Sequence, residues 1–179
     1  MSERIIVVGG GAGGLELVVR LARKLKRVEG VSVMLIDMNA SHIWKPLLHE
    51  VATGSLDSHH DETSYRMLAR KHHFDFLLGR VMRVDTAQQQ LTVAPEYDED
   101  GTELVAERTI SYDRLVLSAG SRSNDFGTEG VAQHCITLDS RSQAERFHQL
   151  YLKQLHRVSG SSDPDAELSV VIVGGGATG

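Results

Sequence analysis

The chain holds 179 residues, 41% of them hydrophobic, and 19 Lys+Arg against 24 Asp+Glu leave a net charge of −5. That length suits one core, or one domain and the start of another, and a mildly acidic chain without a basic block has no electrostatic footprint for nucleic acid. The single Cys135 excludes an internal disulfide, a Cys-rich zinc site and a two-cysteine redox centre.

No apolar run approaches the ~18 residues that span a bilayer. The opening apolar run is also too short for a signal-peptide core, so the chain reads as cytosolic or peripheral. Residues 4–8 are Arg-Ile-Ile-Val-Val, the pattern of a parallel strand buried on both faces. Glycines at 9, 10, 11, 13 and 14 follow. Leu15, Val18, Val19, Ala22 and Leu25 then recur at helical spacing, with Arg20, Arg23, Lys24 and Lys26 on the other face. Residues 31–36 are a second buried strand ending at Asp37. Residues 38–58 show no clean period and read as a long functional loop. A short helix is predicted over 64–71, with strands over 74–78, 80–85 and 90–95. Residues 104–110 alternate again, giving an antiparallel hairpin around the acidic turn at 96–101. Another buried strand covers 115–118. Ser142 and Glu145 have capping-box spacing for a helix to about Val158, with Ala144, Phe147, Tyr151, Leu155 and Val158 as its core stripe. Residues 159–167 have the composition of a linker, and 168–173 repeat the opening strand.

The pattern Gly9-x-Gly11-x-x-Gly14 recurs as Gly174-x-Gly176-x-x-Gly179, 165 positions later. The first glycine permits a tight turn, the second lets amides approach a pyrophosphate, and the third allows close helix–strand packing. Ala12 and Gly13 lie at the helix start, where unpaired amides and the helix dipole favour an anion. Asp37 stands 23 residues past Gly14, followed by Met38, where an acid accepts from ribose hydroxyls and repels a 2′-phosphate. The expected ligand therefore has an unphosphorylated ribose: FAD or NAD. The second motif has its strand and glycines without a following helix.

Residues 7–16 resemble the FAD fingerprint of two-dinucleotide flavoprotein oxidoreductases. The stretch 42–56, His-Ile-Trp-Lys-Pro-Leu-Leu-His-Glu-Val-Ala-Thr-Gly-Ser-Leu, resembles the type II, non-proton-pumping NADH:quinone dehydrogenases. Tyr112-Asp113 through Leu117-Ser118-Ala119-Gly120-Ser121, Ser123-Asn124-Asp125-Phe126-Gly127 and residues 171–179 fit the same family.

That resemblance implies an α/β, Rossmann-like FAD-binding domain over 1–158, with an inserted antiparallel hairpin. A linker at 159–167 and the start of a second, NADH-binding domain at 168–179 would follow. It implies that Gly9, Gly11 and Gly14 contact the FAD pyrophosphate and Asp37 the adenosine ribose. Lys45, Pro46, Leu47, Ala52, Thr53 and Gly54 would lie along the flavin and ribityl chain, and Val81 would meet adenine through its backbone. Ser118, Ala119 and Gly120 would pass beside the cofactor; the family often has Thr at the position of Ala119, so no hydrogen-bonding role is expected there. Gly174, Gly176 and Gly179 would begin the NADH site. NADH and a quinone are the implied substrates, with no acid–base triad. The implied location is the cytoplasmic face of the inner membrane, held peripherally through a part not in these residues, with homodimerisation left open. The resemblance also gives the expectation that this chain is an N-terminal piece, unable to oxidise NADH alone and weak or inert toward FAD.

Other residues have plainer readings. Lys45 is either a stabiliser of reduced flavin or a solvated charge, and Trp44 either stacks on a cofactor or packs the loop. His59, His60, Glu62, His72 and His73 read as surface, because adjacent histidines diverge and no ligand set is complete. Cys135 reads as a buried, inert thiol. A disulfide reductase needs a Cys pair near 45–54 that is absent. A non-catalytic Rossmann-type nucleotide-binding module remains the alternative.

Overall fold

A strand with no polar face needs cover on both sides. In the computed structural model, which describes residues 3–42, 44–56 and 63–175, the opening run has that cover. Strand β1 (Glu3–Val8), helix α1 (Ala12–Leu25) and strand β2 (Val31–Asp37) come first. Strand β3 (Ser41–His42), a 3-10 turn at Lys45–Leu47, helix α2 (Leu48–Thr53) and strand β4 (Thr63–Ser64) lead to helix α3 (Tyr65–His72) and strand β5 (Asp75–Leu78). Next come β6 (Val81–Asp85), β7 (Gln90–Val93), β8 (Glu96–Tyr97) and β9 (Glu103–Val105). Strands β10 (Arg108–Ser111) and β11 (Arg114–Leu117) and helices α4 (Val131–His134) and α5 (Arg141–Ser159) complete the described elements. Two compact units result: Met1–His42 with Thr63–Gly120, and Ile43–Glu62 with Ser121–Gly179.

The first unit is built on a parallel sheet in the order β11-β1-β2-β5. Alternate residues of its central strands feed two cores. Val7, Val33 and Leu35 pack with Val18, Ala22, Tyr65, Ala69 and Phe74 from α1, α3 and the turn after α3. Ile6 and Ile36 pack with Leu91 and Tyr112 from the antiparallel segment. Ile6, Val7, Leu35 and Ile36 are wholly buried, and each contributes about 1.5–3 kcal/mol by leaving water. The α/β, Rossmann-like class expected from the sequence is therefore the observed one. Chain order reverses beside β1: β2 and β5 lie to one side and β11 to the other. Ligands of open parallel sheets bind at such a switch point, at the carboxyl ends of the strands.

The predicted hairpin is more than a hairpin. Residues 104–110 break into two strands: β9 pairs with β8 around the acidic turn, and β10 pairs with β7, which also pairs with β6. The three-stranded sheet forms because Leu91 and Val93 of β7 are fully buried and need partners on both edges.

In the second unit, α2 packs on α5 through Leu48, Val51, Ala52 and Ala144, with Leu56, Leu138 and Phe147 around them. The predicted loop thus contains a helix. Pro46 pre-sets the backbone of the preceding 3-10 turn, and Gly54, at φ +79°, ends α2 as a left-handed cap. Six residues are too few to show a period.

Helix α5 is capped by Ser140 rather than Ser142. The sequence offers the S-x-x-E/Q spacing twice, and the Ser140 hydroxyl accepts from the Gln143 amide while Glu145 pairs with Arg141. Its stripe is core only at its start: Ala144 is buried, Phe147 and Tyr151 are half-buried, and Leu155 is exposed. Phe147 and Tyr151 stack with ring centres 6.2 Å apart. Residues 168–173 form no strand, and Val170 to Val173 are exposed. A parallel strand exists only by pairing, and no described strand pairs with this segment. Cys135 is exposed, not buried, because it caps the short α4 where little chain covers it. Among the described residues no helix is long and apolar enough to cross a membrane.

Candidate functional site

The loop after β1 lies at the switch point, and its glycines have separate reasons to be glycine. Gly9 has φ +98°, and a Cβ there would run into the Ser118 carbonyl at the end of β11. A Cβ on Gly14 would strike the Gly9 carbonyl, so Gly14 lets α1 sit hard against the loop. Gly11 differs. It has φ −60°, and a Cβ there would meet nothing within 4 Å. The fold alone gives no reason for a bare backbone at Gly11, whereas a ligand lying against it does. Packing explains Gly9 and Gly14, and it leaves Gly11 over.

The amides are divided in the same way. Gly9 N–H donates to the Ile36 carbonyl at 2.8 Å, and Gly10 N–H donates to Asp37 Oδ2 at 2.6 Å. These two donors are already engaged: sheet extension takes one and the acid takes the other. Gly11, Ala12 and Gly13 are exposed, and their amides have no acceptor among the described residues. Helix α1 has no side-chain cap and no acidic residue in its first turn, so nothing within the helix itself offsets its positive dipole end. That arrangement suits a diphosphate.

Asp37 ends β2 beside this loop. Its Oδ1 also accepts from the Asn39 amide at 2.8 Å and from Asn39 Nδ2 at 3.1 Å. A carboxylate offers roughly four acceptor directions, so gripping two ribose hydroxyls requires the Asn39 side chain to swing away. Met38, next in sequence, is 59% exposed. Gly79 N–H donates to the Asp37 carbonyl at 2.9 Å, which brings the start of β6, with Val81 half-buried, to the same end of the sheet. Ala119 and Gly120 follow β11 as exposed chain, with Gly120 at φ +73°. The residues present therefore fit an adenine dinucleotide at its diphosphate and ribose.

Tyr65 and His42 at this loop went unassigned from sequence, and Ser118, expected beside the cofactor, also has a packing role. Ser118 backs Gly9, Gly13 and Gly14. The buried Tyr65 hydroxyl donates to the Gly10 carbonyl at 2.7 Å, and His42 Nδ1 meets the same oxygen at 2.9 Å. Burial, and then the charge of Asp37, push the Tyr65 hydroxyl above the ordinary phenol range, so it stays a donor. No local signal marks Tyr65, which is 55 residues from its partner.

Lys45, Pro46, Leu47 and Thr53 belong to the second unit. Lys45 Nζ donates to the Ser121 carbonyl at 2.6 Å and lies 3.4 Å from Asp139 Oδ1. It is neither a free solvated charge nor an unengaged cation; it ties the 3-10 turn to the chain at 121–139. Pro46 is exposed, Leu47 half-buried, and Trp44 50% exposed. Thr53 Oγ1 donates to the Glu50 carbonyl at 3.2 Å. His148, also unassigned from sequence, bonds the Ala52 carbonyl at 3.2 Å and fills the space a Cβ on Gly54 would need. Gly174 takes φ +107° in open space. Gly176, Gly179, Ile43, His59, His60 and Glu62 lie outside the described residues.

The chain is similar to proteins of known kind. A type II NADH:quinone oxidoreductase of Haemophilus influenzae is 43% identical over 191 residues, covering 99% of this chain and 43% of that protein. One of Mycobacterium tuberculosis is 30% identical, covering 99% of this chain and 36% of its own length. The chain thus spans less than half of these relatives. Among solved structures, NDH2 of Plasmodium falciparum in complex with NADH superposes with a TM-score of 0.73 at 21% identity, over 89% of this chain and 30% of that one. The sulfide:quinone oxidoreductase of Aquifex aeolicus superposes at 0.67 and 18% identity, over 87% and 33%. At such identity these two establish the fold alone. Residues 3–179 match one family throughout, and the chain belongs to it: the pyridine nucleotide-disulphide oxidoreductases.

Proposed function

We propose that residues 1–158 bind FAD in a flavoprotein that oxidises NADH and reduces a quinone. Residues 159–167 serve as a linker and 168–179 open the NADH-binding domain, with Gly174, Gly176 and Gly179 in its glycine loop. The observation that carries the reading is Gly11: a glycine with space for a side chain, at a helix start whose amides have no acceptor among the described residues. Gly11, Ala12 and Gly13 would hold the diphosphate, and Asp37 the adenosine ribose. Backbone at Val81, Ala119 and Gly120 would line the nucleotide, and Lys45, Pro46, Leu47 and Thr53 would serve the flavin end. The chemistry FAD supplies when bound is hydride acceptance from NADH and onward transfer of electrons to quinone. The chain's own contribution is grip and alignment, with Asp37 disfavouring a 2′-phosphate. Dithiol chemistry has no second cysteine in this chain, which favours quinone over disulfide as acceptor. NADH oxidation is proposed for the complete protein, attached peripherally to the cytoplasmic face of the inner membrane.

Protein expressed from the complete reading frame tests this directly. Visible flavin absorbance that bleaches on addition of NADH and returns with a soluble quinone is the expected result. A colourless preparation that takes up no FAD overturns the reading and favours a non-catalytic nucleotide module.

A further inference from the structure

Gly10 occupies a position that the G-x-G-x-x-G pattern leaves free, yet it is the most restrained residue of the loop. Both of its peptide groups are held by side chains. Its N–H is held by Asp37, and its carbonyl accepts from Tyr65 at 2.7 Å and from His42 at 2.9 Å. The Tyr65 ring stands where a Cβ on Gly10 would sit, which explains the missing side chain. A carbonyl only accepts, so His42 carries its proton on Nδ1. The ribbon of β3 and β4 sets His42 opposite Thr63, and Tyr65 follows directly after β4 with its amide on the Ala40 carbonyl. Phe76 backs the Tyr65 ring at 5.3 Å between centres.

In a planar trans peptide the carbonyl and the next N–H point in opposite directions. Drawing the Gly10 carbonyl toward Tyr65 and His42 therefore turns the N–H of the exposed Gly11 away from them, and that amide has no acceptor among the described residues. We propose that Tyr65 and His42 are positioning residues for the dinucleotide: they lock the Gly10–Gly11 peptide so that the Gly11 amide faces the diphosphate. This rests on the nucleotide reading above and assigns the β3–β4 ribbon a role in it. Asp37 and the Tyr65–His42 pair grip Gly10 from its two sides, so ribose recognition and diphosphate recognition share one anchored residue.

The test uses flavin-stripped protein from the complete reading frame, titrated with FAD, with the Gly11 amide followed by 15N–1H NMR before ligand is added. Y65F keeps the ring and should weaken FAD about fivefold, and H42L by a similar factor. The double variant should lose on the order of 100-fold, because each donor alone still holds the carbonyl. H42N, whose amide nitrogen can replace Nδ1, should stay within about twofold of the parent. The Gly11 cross-peak should move in Y65F and in H42L and keep its position in H42N. A purely structural role predicts lost thermal stability without that pattern. Wild-type FAD affinity in the double variant overturns the proposal, as does weakened binding with an unmoved Gly11 cross-peak. If the double variant does not fold, H42L and H42N on the half-buried ribbon decide the matter. A parent protein that binds no FAD removes the nucleotide reading itself, and the positioning role falls with it.

Discussion

Two stretches of this chain carry nearly the same letters and differ in structure. At Val7-Val8-Gly9 and at Ile172-Val173-Gly174 an apolar run meets a glycine at φ +98° or +107°. The first run lies between two parallel neighbours, and its Val7 is completely buried. The second has no pairing partner among the described residues, and Val173 is 87% exposed. The bend after the strand is thus a local property of apolar run plus glycine. The strand is not: it exists where other segments supply hydrogen bonds and cover.

The sharpest way to break that contrast is paired truncation. Ile6→Ala should destabilise by about 2–5 kcal/mol and Ile172→Ala by less than about 0.5 kcal/mol, read from urea midpoints. Equal losses would mean that the second run is as well packed as the first. The glycines give the next largest effect. Gly9→Ala combines a left-handed backbone with a collision at the Ser118 carbonyl and should cost about 2–3 kcal/mol. Gly174→Ala meets no atom within 4 Å, and its exposed segment can relax, so about 1 kcal/mol or less is expected.

What the sequence disclosed follows the same division. Strand β1, helix α1 and strand β2 were legible because the strands carry apolar runs, the helix is long enough to show its period, and each is adjacent to the next. Helix α2 was hidden because six residues behind Pro46 have no period to show. The three-stranded sheet was partly legible: its strands alternate, but the break of 104–110 between two partners depends on which edges need covering. The place of Asp37 beside the glycine loop was legible through a spacing with a physical reason. Tyr65 and His42 were not assigned, since the oxygen they share belongs to a backbone group that every glycine has. Lys45 was recognised as special without its partners, because Ser121 and Asp139 lie 76 and 94 residues away.

Within the first motif, stability and binding can be separated. Gly11→Ala adds a methyl group into open space and should leave the unfolding midpoint within about 0.5 kcal/mol. FAD affinity should fall roughly tenfold, because the methyl would stand where the proposed site holds the diphosphate, and tenfold corresponds to about 1.4 kcal/mol. A variant with full affinity would show that the ligand does not approach Gly11.

The smallest expected effect concerns the second unit and depends on pH. Burial alone raises the Asp139 carboxyl, but the Ser123 amide, 2.9 Å from Oδ2 and 3.0 Å from Oδ1, and then the Lys45 ammonium outweigh it and hold the group below the ordinary carboxylate range. A carboxyl whose pKa is depressed by folding binds protons less readily when folded than when unfolded. Its stabilisation is therefore fully present above the unfolded value near ~3.9 and is lost as pH falls through the lower folded value. Asp139→Asn should lower stability by about 1 kcal/mol near neutral pH, where the charged acceptor counts, and by progressively less in acid. Urea midpoints of parent and variant should converge as pH drops below about 4. Lys45→Gln should reproduce only a small part of the loss, since Lys45 is half-exposed at 3.4 Å while the backbone and side-chain bonds from Ser123 remain. A constant gap between parent and Asp139→Asn across the acid range would mean that the carboxylate charge does nothing there, and that Lys45 is held by the Ser121 carbonyl alone.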